Sequence, residues 1–111
     1  MSQKKINRFL PLSESSFYIL LALRHPQHGY AIMQETEESS QASVKLAPGT
    51  LYGALTNLEG QKLIQRAGQD GRRKIYHITD LGTKVLEAQI KRLQIMLQAV
   101  ENQKQLEQNH G

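Results

Sequence analysis

The run Pro48-Gly49-Thr50-Leu51-Tyr52, continued by Ala54, Leu55 and Leu58, is compatible with little except an amphipathic helix that opens on a proline. Proline suits a first helical turn, where its missing N–H is not needed and its φ is already set. Leu51, Ala54, Leu55 and Leu58 recur at i, i+3, i+4 and i+7, so one stripe faces a core. The opposite face carries Gly49, Tyr52, Gly53, Thr56 and Asn57. Surface helices usually bristle with Lys and Glu. Small residues, hydroxyls and one amide suit close approach to another polymer instead.

The flanking segments read as further helices and one hairpin. Ser13 is a candidate N-cap for a helix to about residue 23, and residues 17–23 are apolar nearly all round, as in a central buried helix. His25-Pro26 breaks it. A second helix starts near His28-Gly29 and runs out in Glu37-Glu38-Ser39-Ser40. Val44-Lys45-Leu46 reads as a short strand, and the Pro48 helix ends near Gly60. Residues 63–67 and 73–78 read as paired strands around the turn chemistry of Gly68-Gln69-Asp70-Gly71. Tyr76 and Ile78 share one face of the return strand, Ile75 and His77 the other. Thr79 then caps a last helix, with Asp80 favourable to its dipole.

That last helix is long. Leu86, Ile90, Leu93, Leu97 and Val100 alternate steps of four and three, a heptad stripe that Val85 and Met96 widen. A helix longer than its own small domain can cover usually packs against a second copy, which makes these five the candidate dimerisation residues. Folding back onto its own core is the alternative.

Composition sets the outer bounds. A chain of 111 residues is one domain with a modest core. It has no cysteine, which excludes disulfides and thiolate metal sites. No apolar run approaches the ~20 residues of a membrane span, and the polar, basic residues 1–8 have no signal-peptide core behind them. The expected location is therefore the cytoplasm. Four segments follow: a flexible arm over residues 1–12, a compact unit over 13–79, a dimerisation helix over 80–101, and a Gln-rich tail over 102–111 expected to be disordered. The net charge of +4 matters less than its placement. Arg72, Arg73 and Lys74 are consecutive, with Lys62 and Arg66 just before them, while Glu35, Glu37 and Glu38 gather elsewhere. A basic ridge against an acidic patch suits an anionic partner on one side.

Three helices, a basic two-stranded hairpin and a C-terminal helix make an α+β, mainly α, winged helix-turn-helix. In that architecture the Pro48 helix enters the major groove of double-stranded DNA and the wing lies along the backbone. Arg72, Arg73 and Lys74 neutralise phosphates; Thr50 and Tyr52 can each donate a hydroxyl to one. Lys45, Pro48 and Gly49 complete the surface around the helix start. Tyr52 has a second reading, as a half-buried ring propping the hairpin. Asn57 either pairs with adenine or stands in solvent, and Thr56 is suited to a base edge or a thymine methyl.

Taken together these residues resemble the PadR family of bacterial transcriptional regulators. The resemblance runs through Ile19-Leu20-Leu21-Ala22-Leu23, His28-Gly29-Tyr30, the Pro48 run, Leu55, Leu58-Glu59, Leu63-Ile64, Gly71-Arg72-Arg73-Lys74, Tyr76, Thr79 and Gly82. A single C-terminal helix is similar to the small subgroup of that family. The resemblance implies a homodimeric repressor on a pseudo-palindromic operator, with Thr50 and Tyr52 on DNA and Arg72, Arg73 and Lys74 as the wing. It also implies a possible small-molecule effector, since some relatives bind flat apolar molecules between subunits. With no tryptophan present, Phe9, Phe17, Tyr18 and Met96 are the candidates to line such a pocket. Three positions depart from the family pattern: Ala47 replaces a small polar cap, Gly53 replaces a proline, and Lys62 stands where a glycine is expected.

Other functions find less support. His25 and His28 have ligand-like spacing, with His77 and His110 elsewhere, but Pro26 intervenes and no cysteine helps, so no metal site and no cofactor are expected. Ser13, Ser15 and Ser16 are near no obvious acid/base partner, and nothing resembles a phosphate loop or nucleophile elbow, so no enzyme is expected. The serious alternative is a winged helix that docks an acidic protein surface and binds no specific DNA.

Overall fold

The computed structural model describes residues 2–110, with His110 described for its backbone alone. Met1 and Gly111, the outer ends of the expected arm and tail, and the His110 side chain lie outside the described residues. Five helices and three strands follow in the order α1 (Gln3–Asn7), α2 (Glu14–Ala22), β1 (Gln27–His28), α3 (Gly29–Ser39), α4 (Pro48–Gly60), β2 (Ile64–Asp70), β3 (Arg73–Ile78) and α5 (Asp80–His110). The core gathers Ile19, Leu20 and Leu23 around α2, Ile32 from α3, Leu51, Leu55 and Leu58 from α4, and Val85 and Leu86 from α5. The stripe read from the Pro48 helix is thus the buried one, and Ala54 is half-buried beside it. Among the described residues no helix is long and apolar enough to cross a membrane.

Helix ends follow local chemistry. Ser13 caps α2 by accepting from the Ser16 N–H at 3.1 Å. Ala47 gives α4 no side-chain cap, leaving Pro48 to start the helix. The C-terminus of α4 closes as a Schellman motif: the Leu63 N–H donates to the Leu58 carbonyl at 3.0 Å and the Lys62 N–H to that of Glu59 at 2.9 Å. This places Lys62 in the left-handed region, with φ 64°, where glycine is the usual occupant.

The sheet has the order β1-β3-β2, all antiparallel. Its third strand is not Val44-Lys45-Leu46. That segment is an extended connection, pinned where the Ser40 hydroxyl accepts from the Val44 N–H at 3.0 Å. The strand is instead Gln27–His28, paired with Tyr76 and Ile75 on the open edge of β3. The hairpin turn is shorter than expected. Asp70 pairs with Arg73 across Gly71-Arg72, and Gly71 takes φ 61°, as the first position of a type II′ turn requires. Gly68 belongs to a bulge between Arg66 and Gly68, with φ 140°.

Three expectations change at the two ends of the chain. Residues 3–7 are helix α1 and not a flexible arm. Ser2 caps the helix, Ile6 is buried, and the Leu12 N–H beyond it donates to Gln89 Oε1 of α5 at 2.8 Å. Residues 102–110 continue α5 and are not a disordered tail, because Gln, Glu, Lys and Leu are good helix formers and pair along the helix: Gln98 with Asn102 at 2.9 Å, Glu101 with Lys104 at 3.7 Å. Leu86 is not free for a partner. Only 2 % of it is exposed, because the first turns of α5 lie on α2 and the core, and Ile90 packs partly against the same cluster. Leu93, Leu97 and Val100 remain exposed, together with Ile95, Met96 and Leu106.

Candidate nucleic-acid interface

Three separate stretches of sequence meet in one open cleft of about 390 Å³. Tyr52 and Thr56 come from the exposed face of α4, Arg72, Arg73 and Lys74 from the hairpin, and His28, Gly29 and Tyr30 from the start of α3. Gly29 and Tyr76 are the buried members of its lining. The hairpin projects because only Ile64 of β2 is buried, so the cationic turn stands clear of the core.

The Gly29 and Tyr52 positions depend on each other. A Cβ added to Gly29 would lie 2.9 Å from the Tyr52 hydroxyl oxygen and 3.1 Å from its Cζ. Glycine therefore lets the tyrosine ring lie across the start of α3, bracing α4 against it. Tyr52 is still 54 % exposed, so the same ring presents surface to the cleft. The ring is more exposed than the half-buried prop of the sequence reading, and the element it braces is the start of α3.

Thr56 donates its hydroxyl to the Tyr52 carbonyl at 2.9 Å, which leaves its methyl and a lone pair outward. Asn57, Pro48, Gly49 and Thr50 are exposed along the same helix but lie outside the cleft. Lys45 is also exposed, 3.7 Å from Glu37 Oε1, and points its charge at α3. Arg73 leaves the wing to place Nη1 3.2 Å from His28 Nε2, while His28 Nδ1 caps α3 at 3.4 Å from the Ala31 N. Burial pushes the Tyr76 phenol up from its ordinary range, the Glu59 charge adds to the rise, and Arg66 opposes it. Its hydroxyl stays protonated, a donor at the cleft floor.

His28, Gly29 and Tyr30 are cleft residues that the sequence reading placed as a helix start and in the family resemblance, without a role at the site. The proximity of β1 to β3 creates their role, and a two-residue strand carries no periodic signal.

The aromatic set does not converge. Phe17 and Tyr18 meet edge to face at 5.5 Å beside Leu12, Gln89 and Leu93. Phe9 lies elsewhere, with Arg8 and Lys62, and Met96 is exposed on α5. Within one chain the four residues therefore do not form a pocket. Among the described residues no group of three His, Cys, Asp or Glu side chains is placed to hold a metal ion.

A helical body with an exposed Pro-capped helix beside a cationic β-wing defines the winged helix-turn-helix class. The chain belongs to the PadR-like family of transcriptional regulators, whose model matches residues 6–88. It is a regulator and not an enzyme. It is 32% identical over 80 residues to protein X of Lysinibacillus sphaericus, covering 68% of this chain and 73% of that one. It is 37% identical over 76 residues to a 37.1 kDa protein in transposon TN4556 of Streptomyces fradiae, covering 68% of this chain but 21% of that protein's length. Its fold is similar to the crystal structure of a PadR family transcription regulator from Clostridium difficile R20291, with a TM-score of 0.69 at 22% identity, covering 81% of this chain and 97% of that one.

Proposed function

We propose that the chain is a homodimeric repressor that binds double-stranded DNA sequence-specifically and works in the cytoplasm on the nucleoid. The observation that carries this reading is the convergence of Tyr52, Thr56 and the Arg72-Arg73-Lys74 wing on one exposed cleft. In this reading α4 enters a major groove, Thr56 and Asn57 meet base edges, and Thr50 and Tyr52 meet phosphates beside the wing. Pro48 and Gly49 allow the backbone a close approach, and Lys45 turns from Glu37 to the DNA. Residues 13–79 are the reading unit.

Residues 80–101 supply the dimer contact through Leu93, Leu97 and Val100, with Ile95 and Met96 beside them, so the operator is a pseudo-palindrome with half-sites about 34 Å apart or a multiple of that. Repression is the mode the family resemblance favours. A flat apolar or aromatic effector would enter between protomers, on the ledge of Phe17, Tyr18 and Leu93.

Fluorescence anisotropy on DNA from upstream of the protein's own reading frame, titrated with salt and challenged with shuffled competitor, tests the reading. Binding that survives the competitor and falls steeply with salt is expected. No binding at low salt would favour a protein-docking winged helix instead.

A further inference from the structure

His28 is called on to accept two hydrogen bonds. Its Nδ1 faces the Ala31 N–H at 3.4 Å and its Nε2 faces the Arg73 guanidinium at 3.2 Å. A neutral imidazole has one acceptor nitrogen, and a protonated one has none. Guanidinium has only donors, so no state of the ring satisfies both neighbours. Both distances are at the long end for hydrogen bonds.

We propose that this mismatch is the empty form of a phosphate site, and that His28 itself contacts the DNA backbone. The proposal rests on the DNA-binding reading and adds a residue to it. A phosphate oxygen between the two side chains resolves every conflict. Arg73 turns its N–H to the oxygen, Nε2–H donates to the same group, and Nδ1 stays on the Ala31 N–H. The surroundings are anion-seeking: Arg72, Arg73 and Lys74 from the hairpin, with Tyr30 from α3, Tyr52 from α4 and Tyr76 from β3. Among the described residues no carboxylate lines the cleft. Glu35 of α3 faces Gln27 Nε2 at 3.4 Å, and Glu59 of α4 is the acid whose charge acts on Tyr76. In that arrangement the ring is the neutral Nε2–H tautomer, whose Nδ1 stays free to cap α3.

His28→Asn separates contact from cap, because asparagine is a strong N-cap with a shorter side chain that does not extend to the phosphate. The probe is a labelled 30-base-pair random-sequence duplex, read by anisotropy at neutral pH and fixed ionic strength. The wild-type chain is expected to bind roughly tenfold tighter than H28N, with an equal salt slope because the lost donor is neutral. An H28N affinity equal to wild type overturns the assignment alone. Failure of the wild-type chain to bind the duplex overturns the DNA reading and this assignment with it. Nitrogen-15 imidazole NMR of the wild-type chain needs no variant. Added duplex should fix His28 with a protonated Nε2 and a bare Nδ1, and a ring unchanged by duplex overturns the proposal.

Discussion

The body of the molecule and the outer part of α5 are built to opposite rules. Between Ile19 and Leu86 the chain hides its large aliphatic side chains: Ile19, Leu20, Leu23, Ile32, Leu51, Leu63 and Val85 have no exposed surface. From Lys91 to Asn109 every residue is exposed, and that stretch holds Leu93, Ile95, Met96, Leu97, Val100 and Leu106. A helix of 31 residues extends about 46 Å, and the molecule is 62 Å in its longest dimension, so the outer helix projects well beyond the body. The body has enough partners within one chain; the outer helix does not. An apolar stripe of this length left in water is what a second copy would cover.

The sharpest break of the comparison lies where the two regions join. A Cβ on Gly82 would collide with the Leu63 carbonyl and lie 2.8 Å from Ile78 Cγ1, because the first turn of α5 packs against the residue that leads into β2 and the end of β3. Gly82→Ala is expected to destabilise the body by about 3 kcal/mol in urea unfolding. A loss near zero would mean that α5 is not seated on the body.

The next test leaves the body alone. Leu93→Asp should weaken self-association at least ~30-fold by light scattering, with the circular dichroism of the monomer preserved. A variant still dimeric would place the contact elsewhere. On the body's other face, Arg72→Ala and Arg73→Ala should each lower affinity on all DNA sequences and reduce the salt slope by about one, without changing self-association. The smallest effect sharpens the account of α4. Lys62→Gly relieves a left-handed residue at the Schellman closure and is expected to raise stability by roughly 0.5–1 kcal/mol in thermal unfolding.

The sequence made the body legible because its signals are local and repeated. The stripe Leu51, Leu55, Leu58 has helical spacing, Ser13 and Thr79 are caps, and Gly71 sits in a hairpin turn. Periodicity could not say which chain covers a stripe. Leu86 and Leu97 share one heptad pattern, yet the first is core and the second faces water. The candidate site was legible by halves. Tyr52, Thr56 and the cationic turn could be read from helix face and charge. His28, Gly29 and Tyr30 enter only because β1 pairs with β3, a contact of two residues that leaves no pattern in the chain. Helix α1 escaped notice for a similar reason: five residues have no period, although Ser2 and Ile6 are its cap and its buried anchor.

Hydroxyl-radical footprinting of the protein on DNA from upstream of its own reading frame tests both regions together. The account predicts two protected patches related by a two-fold axis, with centres about 34 Å or a multiple apart, which requires the cleft on DNA and α5 on a second copy. A single unpaired patch would contradict the dimer, and uniform cleavage across the fragment would contradict the DNA interface itself.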